Sequence, residues 1–465
     1  MHRLSAPSHR RGRLVTGAAC ALVAAAAATC AAAPAPAPGA PSTRIMANPV
    51  AVVVDERTDR VFVVARGPLA SAPYPEPVGP GSVSVLDAAT GRLVRTIGVG
   101  VHPLQAALDP TARRVYVLSE GALSKAGGLG PGSVSVLDAA TGRLVRTTGV
   151  GVGTATLAVD TRRARAYALS LDPDSVYITS VDLWADNGPS SVSGALSVLD
   201  GPTGRLARTL PGVSGAAVAV NARDGRLLVA SGVGCPSSRN PSDAGCVRVY
   251  DEATGRPLAA HPTSLPVDFR GMVSDDLTGR AFAVLLDDRT ANGDSPRAYN
   301  HILTLDARTG ATLRDAVLTD QEMNTDAFVA SASAGRAVLV AVPNGYRFQM
   351  GGGTATVSVV DMRSGRVLHS ETLNPVEGAR GFRTSAVIDA RRGRIVVLAQ
   401  PLADLAGHPS GPAVFNVLDA RTGRLLRTAP GQVGDVGLGL DAARGHLFVA
   451  NARSNTVRML AVARL

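Results

Sequence analysis

Residues 79–96 and 130–147 are the same eighteen residues, Gly-Pro-Gly-Ser-Val-Ser-Val-Leu-Asp-Ala-Ala-Thr-Gly-Arg-Leu-Val-Arg-Thr. No other feature of this 465-residue chain constrains its fold as much. The Asp-x-x-Thr/Ser-Gly centre of that stretch returns at Asp87, Asp138, Asp200, Asp251, Asp306, Asp361 and Asp419, at intervals of 51, 62, 51, 55, 55 and 58 residues. A period near 55 along most of a chain means a repeat architecture, in which each unit buries its apolar face against the next.

The repeat has a physical reading. Ser-Val-Ser-Val-Leu alternates as a half-buried strand does, and Leu-Val-Arg-Thr resumes a second strand after the turn. Asp can accept hydrogen bonds from the turn backbone, and Gly takes the positive φ that a tight hairpin needs. A second hairpin interleaves with the first, with turns at Asp55, Asp109, Asp160, Asn221, Asp275, Asp389 and Asp441 and a degenerate copy near Ser331. Each period therefore holds four strands, A to D, and no stretch has the periodicity of an amphipathic helix. Many repeats of four antiparallel strands predict an all-β fold, a single β-propeller of four-stranded blades.

Eight A–B pairs and seven complete C–D hairpins give eight blades, with seven as the runner-up. The last blade lacks only its D strand. Thr43-Arg44-Ile45-Met46 stands before the first A strand as Arg-Thr-Ile-Gly-Val stands before the second, so this N-terminal strand is expected to close the ring and leave no free sheet edge. The propeller is expected over 43–465. Aromatics make up only 3% of the chain, so the sheets must pack through Val, Ala and Leu. Gly (50) and Pro (30) stay below the ~25–30% that marks low-complexity disorder.

Phe448-Val449-Ala450-Asn451 followed by Ser454-Asn455-Thr456-Val457, with Val-Ser-Val-Leu-Asp-x-x-Thr-Gly and Gly98-Val-Gly-Val-His-Pro103, resembles the YVTN-type, YncE-like β-propeller repeat. The likeness runs from about Thr43 to Leu465, although most copies depart from the tetrapeptide, as Tyr116-Val117-Leu118-Ser119 does. The resemblance implies an extracytoplasmic propeller and does not fix an activity.

The N-terminus agrees with export. Arg3, Arg10, Arg11 and Arg13 precede Leu14–Ala33, twenty uncharged residues rich in Ala, with small residues at Ala31–Ala33. A basic region, an apolar region and small residues describe a secretory signal peptide over 1–33, followed by a Pro/Ala linker over 34–42. Lipidation at Cys30 and an uncleaved anchor are the alternative readings. Cys235 and Cys246 flank a Pro/Ser/Asn/Gly loop and are expected to form a disulfide in an oxidising compartment. Of the net charge of +10, four arginines lie in the signal. The rest is spread over turn arginines such as Arg92 and Arg143, away from the aromatics that a single-stranded nucleic-acid groove would need.

Function is expected on the face of the long B–C and D–A loops, as on other rigid scaffolds. The longest B–C loop, 171–194, carries Trp184, the only Trp, and that of 343–353 carries Tyr346. The 286–298 loop holds Asp287, Asp288, Asn292 and Asp294, a set without an ordered calcium-loop spacing. The D–A segments lead to the innermost strands, so His102, Asp268, Arg270, Asp326, Arg380, Arg383 and Asp435 are expected around the channel mouth. Mixed arginines and carboxylates there suit a small polar ligand or a protein partner, and blade-to-blade ion pairing is the bland alternative. The reading is a secreted or cell-envelope binding or scaffold protein, expected as a monomer without cofactor or metal. The alternative is a lyase or lactone hydrolase with His102 as candidate general base.

Overall fold

The computed structural model describes residues 42–68, 79–122, 130–171, 194–213, 215–232, 235–238, 244–263, 267–289, 297–318, 323–343, 354–373, 379–404 and 407–465. The expected signal, the linker as far as residue 41, Trp184, Tyr346, Asn292 and Asp294 lie outside the described residues. Those described are almost entirely strand and turn; the one helical turn named among them is Val462–Arg464.

The strands form antiparallel meanders. Six sheets have four strands and one has seven. The seven-stranded sheet is two meanders joined by one long strand, Leu144–Asp160. Its first half pairs with Pro131–Asp138 as an outer strand, and from Val152 it pairs with Arg165–Leu171 as an inner one. Blades 1 and 2 are separated at the same point by His102-Pro103, where Pro removes a backbone donor.

The innermost strands are Pro49–Asp55, Pro103–Asp109, the second half of Leu144–Asp160, Ala217–Asn221, Val267–Asp275, Met323–Ser331, Gly381–Asp389 and Asp435–Asp441. Each neighbours the next, and the last neighbours the first. They are numbered here as blades 1 to 8; seven hydrogen-bonded sheets and eight meanders are both consistent with the expected ring.

The N-terminal strand Ser42–Arg44 lies against Thr456–Ala461 of the last sheet, with Thr43 opposite Val457. Thr43 Oγ1 also donates to Gly91 O at 2.6 Å in blade 1, and Ile45 is buried with Phe448 and Val457. The latch therefore grips both sides of the closing seam.

The turns follow the repeat chemistry. In the first C–D hairpin, Asp87 Oδ1 accepts from Thr90 N (2.9 Å) and Thr90 Oγ1 (2.8 Å), and Gly91 has φ 70°. The Thr90 hydroxyl is the main cause that lowers the Asp87 pKa. An arginine at the start of strand B reaches the other carboxylate oxygen: Arg60–Asp87 at 3.3 Å, Arg114–Asp138 at 2.9 Å, Arg226–Asp251 at 3.2 Å and Arg336–Asp361 at 2.8 Å.

Between blades the core is Val, Leu and Ala, with single aromatics such as Phe62, Tyr116, Tyr167, Phe282 and Phe448 on the B strands. Cys235 and Cys246 are disulfide-bonded and fully buried, with Ala244 and Ala260 packed on them. No helix among the described residues is long and apolar enough to cross a membrane.

Candidate functional site

The inner strands share an irregularity that aims side chains. Six of them shift register at the residue five places before the turn Asp or Ser: Val50, Leu104, Ala155, Arg270, Asp326 and Val436 are the inserted residues. A bulge leaves its extra residue outside the ladder and redirects its side chain. In blades 1, 2, 3 and 8 that residue is apolar. In blades 5 and 6 it is Arg270 and Asp326, and the same position in blade 7 is Thr384.

An open cavity of about 1160 Å³ runs along these strands. Its walls include Val50, Val52, Leu104, Ala106, Phe328 and Leu438, with Asp326 and Thr384 among the polar residues. Asp326 is exposed to this space, although protein surrounds it on its other sides. Its Oδ2 accepts the backbone N–H and the hydroxyl of Thr384, the latter at 2.7 Å. Burial pushes the Asp326 carboxyl above the usual range; the Thr384 hydrogen bonds and the charge of Arg383 pull the other way. Arg383 is exposed, and its guanidinium approaches Gly407 of the blade 7 B–C loop. Asp326, Thr384 and Arg383 thus meet at the seam of blades 6 and 7.

The other expected residues divide differently. His102 has φ 55°, and its Nδ1 lies 2.9 Å from Glu120 Oε2 within its own blade. It is not among the residues that line the cavity. Arg380 is exposed, and its backbone N–H donates to Leu402 O at 2.8 Å. Asp268 stands opposite Leu286 in the backbone register. Asp435 departs from expectation: it is fully buried and ion-paired with Arg458, so it serves blade 8 and not the channel mouth. Asp287 and Asp288 are also not loop residues; they pair with Tyr299 and Ala298 in an extended hairpin. The ring residues that the sequence reading missed are Thr384 and Gln105, whose Oε1 accepts Leu157 N at 3.0 Å across blades 2 and 3. Alignment of the repeats on the turn Asp would have shown Thr384 as a polar residue in an otherwise mostly apolar position.

No protein-family model matches this chain, and none of the curated proteins does. Solved structures do. The Dos1 propeller aligns over 90% of this chain and 94% of its own, with 13% identity and a TM-score of 0.54. This chain is a β-propeller. BamB from Moraxella catarrhalis (13% identity, 90% of this chain and 98% of that one, TM-score 0.49) and Kuenenia stuttgartiensis hydrazine synthase (13%, 90% and 96%, 0.49) align less closely in space. Identities this low show the fold of the propeller alone.

Proposed function

We propose that this propeller is an exported binding protein of the YVTN-type, YncE-like kind, which takes a small polar ligand or a partner's polar group at the long-loop end of its channel. The observation that carries this is Asp326. It projects from a strand bulge into the open cavity, held by Thr384 and beside Arg383, where core packing does not require a carboxylate. A few convergent polar groups in a largely apolar concavity are the usual form of a ligand site. Arg270 and Arg380 would extend the polar arc toward blade 5 and the blade 7 entry, and Asp268 stands near the start of the blade 5 inner strand. The buried Cys235–Cys246 disulfide supports an oxidising compartment, and with it the signal-peptide reading of 1–33.

A thermal-shift screen of small cationic, anionic and zwitterionic probes tests the site, followed by Asp326→Ala and Arg383→Ala. A probe that stabilises the protein and loses that effect in both variants supports the reading. Stabilisation unchanged in both, or no response to any probe, would sink it.

A further inference from the structure

We infer that the opposite face, which carries the A–B and C–D turns, docks on an anionic lipid surface through the rim formed by the C–D hairpins. Arg92, Arg143, Arg205, Arg256, Arg366 and Arg424 each follow the turn glycine of their hairpin, and all six are exposed. None makes a side-chain hydrogen bond or ion pair among the described residues. Close to them, at the first or second residue of the outer strands, stand exposed apolar residues: Leu93 at 44%, Leu144 at 42%, Leu206 at 44%, Leu258 at 49% and Leu426 at 46% exposure. Leu313 of blade 5, with Arg314 beside it, extends the series at 54%.

A single exposed leucine on a soluble protein requires no explanation. Here the leucines recur two or three places after the turn glycine in six hairpins, each with an arginine within two residues, so they form a band and not a scatter. The charge of that band is uncompensated. In four of the six hairpins the turn carboxylate already has its own arginine at the start of strand B: Asp87 with Arg60, Asp138 with Arg114, Asp251 with Arg226 and Asp361 with Arg336. The turn carboxylates are also held by hydroxyl and amide donors, as Asp251 is by Thr254. The rim arginines are therefore left to face outward. Arginine beside shallowly inserting leucine is the chemistry that adsorbs a protein to a bilayer bearing anionic headgroups. A nucleic acid would use the charge and leave the leucines unemployed, and the turns and outer strands of these hairpins hold no Phe, Tyr or Trp to stack on bases. Docked this way, the channel mouth with Asp326 points away from the membrane.

The test is co-sedimentation of the full chain with phosphatidylcholine vesicles, with and without phosphatidylglycerol, at low and high salt. Binding is expected only with phosphatidylglycerol, and weaker at high salt. Replacing Arg92, Arg143 and Arg205 together by Gln should weaken it by about a hundredfold, while the triple Lys replacement should retain it. Replacing Leu93, Leu144 and Leu206 together by Ser should weaken the binding that survives high salt. All these positions are exposed, and an unchanged unfolding temperature checks that the variants fold. Both triple variants leave the N-terminal segment intact, so undiminished vesicle binding in the Gln and Ser variants assigns the binding elsewhere and overturns the inference. So does failure to bind either vesicle. Capture of single-stranded DNA that ignores the Leu→Ser changes, without vesicle binding, would replace the lipid by a polyanion.

Discussion

Tyr167 of blade 3 donates its phenolic proton to Glu252 Oε1 of blade 4 at 2.5 Å, in a seam closed to solvent. Glu252 directly follows a turn Asp, a position that faces the B strand of the preceding blade. Where that strand brings Phe448, the position is Ala88; where it brings Tyr116, the position is Gly201, and a Cβ there would stand 2.7 Å from the phenol oxygen. The seams are therefore fitted pair by pair. In the Tyr167 seam Arg163 Nη1 bridges Glu252 Oε2 at 2.8 Å and Asp160 Oδ2 at 3.0 Å.

That seam makes stability depend on pH. Desolvation, with Asp160 as its neighbour, pushes the Glu252 pKa from 4.5 up to about 7, and Asp160 is lowered in turn. A carboxyl with a raised folded-state pKa contributes stability that is fully present below its unfolded pKa and is lost as pH rises through the folded one. Denaturant unfolding should show the native chain losing about 2–3 kcal/mol from this group between pH 4.5 and 8. Glu252→Gln keeps an acceptor for Tyr167 and should flatten that slope. An identical slope in the variant would refute the assignment.

His102 is expected to matter for backbone conformation. It occupies the left-handed region at φ 55°, as Asn48 does at φ 58° before the first inner strand. Glycine tolerates that conformation and a β-branched residue does not. His102→Gly should cost less than about 1 kcal/mol, chiefly the contact with Glu120, while His102→Val should cost at least about 1–2 kcal/mol more. Equal losses by thermal unfolding would show that the imidazole, and not the backbone, sets the requirement.

Periodic features were legible from the sequence because their physics is local. The turn Asp, its Thr or Ser three places on and the turn Gly repeat with the hairpins, and Thr43–Ile45 is recognisable as the outer strand its blade lacks. What escaped is fixed by partners distant in sequence. Nothing near Asp435 announces that Arg458 will take it out of the channel mouth. The fusion of blades 2 and 3 rests on the lack of a Pro at Thr154, and Asp326 gains its place only once the bulge and Thr384 are brought together.

The Asp435–Arg458 pair should behave as an enclosed ion pair. Asp435 is fully buried and Arg458 nearly so, with Asn451 Nδ2 donating to Asp435 Oδ1 at 2.8 Å and Gln432 N to Oδ2 at 2.8 Å. Asp435→Asn strands the guanidinium and should destabilise by about 3–5 kcal/mol, while Asp435→Asn with Arg458→Met should recover much of it. A double-mutant cycle in denaturant measures this; additive losses would mean the two charges are independent.

The last expectation concerns closure. The latch strand contributes its ladder against Thr456–Ala461, the Thr43 bond to Gly91 and the burial of Ile45 at 8% exposure. Ile45→Ala should therefore cost about 2–4 kcal/mol, more than a terminal residue in an unpaired segment could. Removing residues 1–46 goes further, because it leaves the Thr456–Ala461 strand as an uncovered edge. Such edges pair with other chains, so the truncated protein should unfold at lower temperature and also self-associate with concentration. Replacing Arg458, which faces Ser42 in the latch register, cannot imitate this, since the edge stays covered. Scattering of light by the two proteins at matched concentration separates the effects: a truncated chain that remains monomeric would mean that the last blade closes without its N-terminal strand.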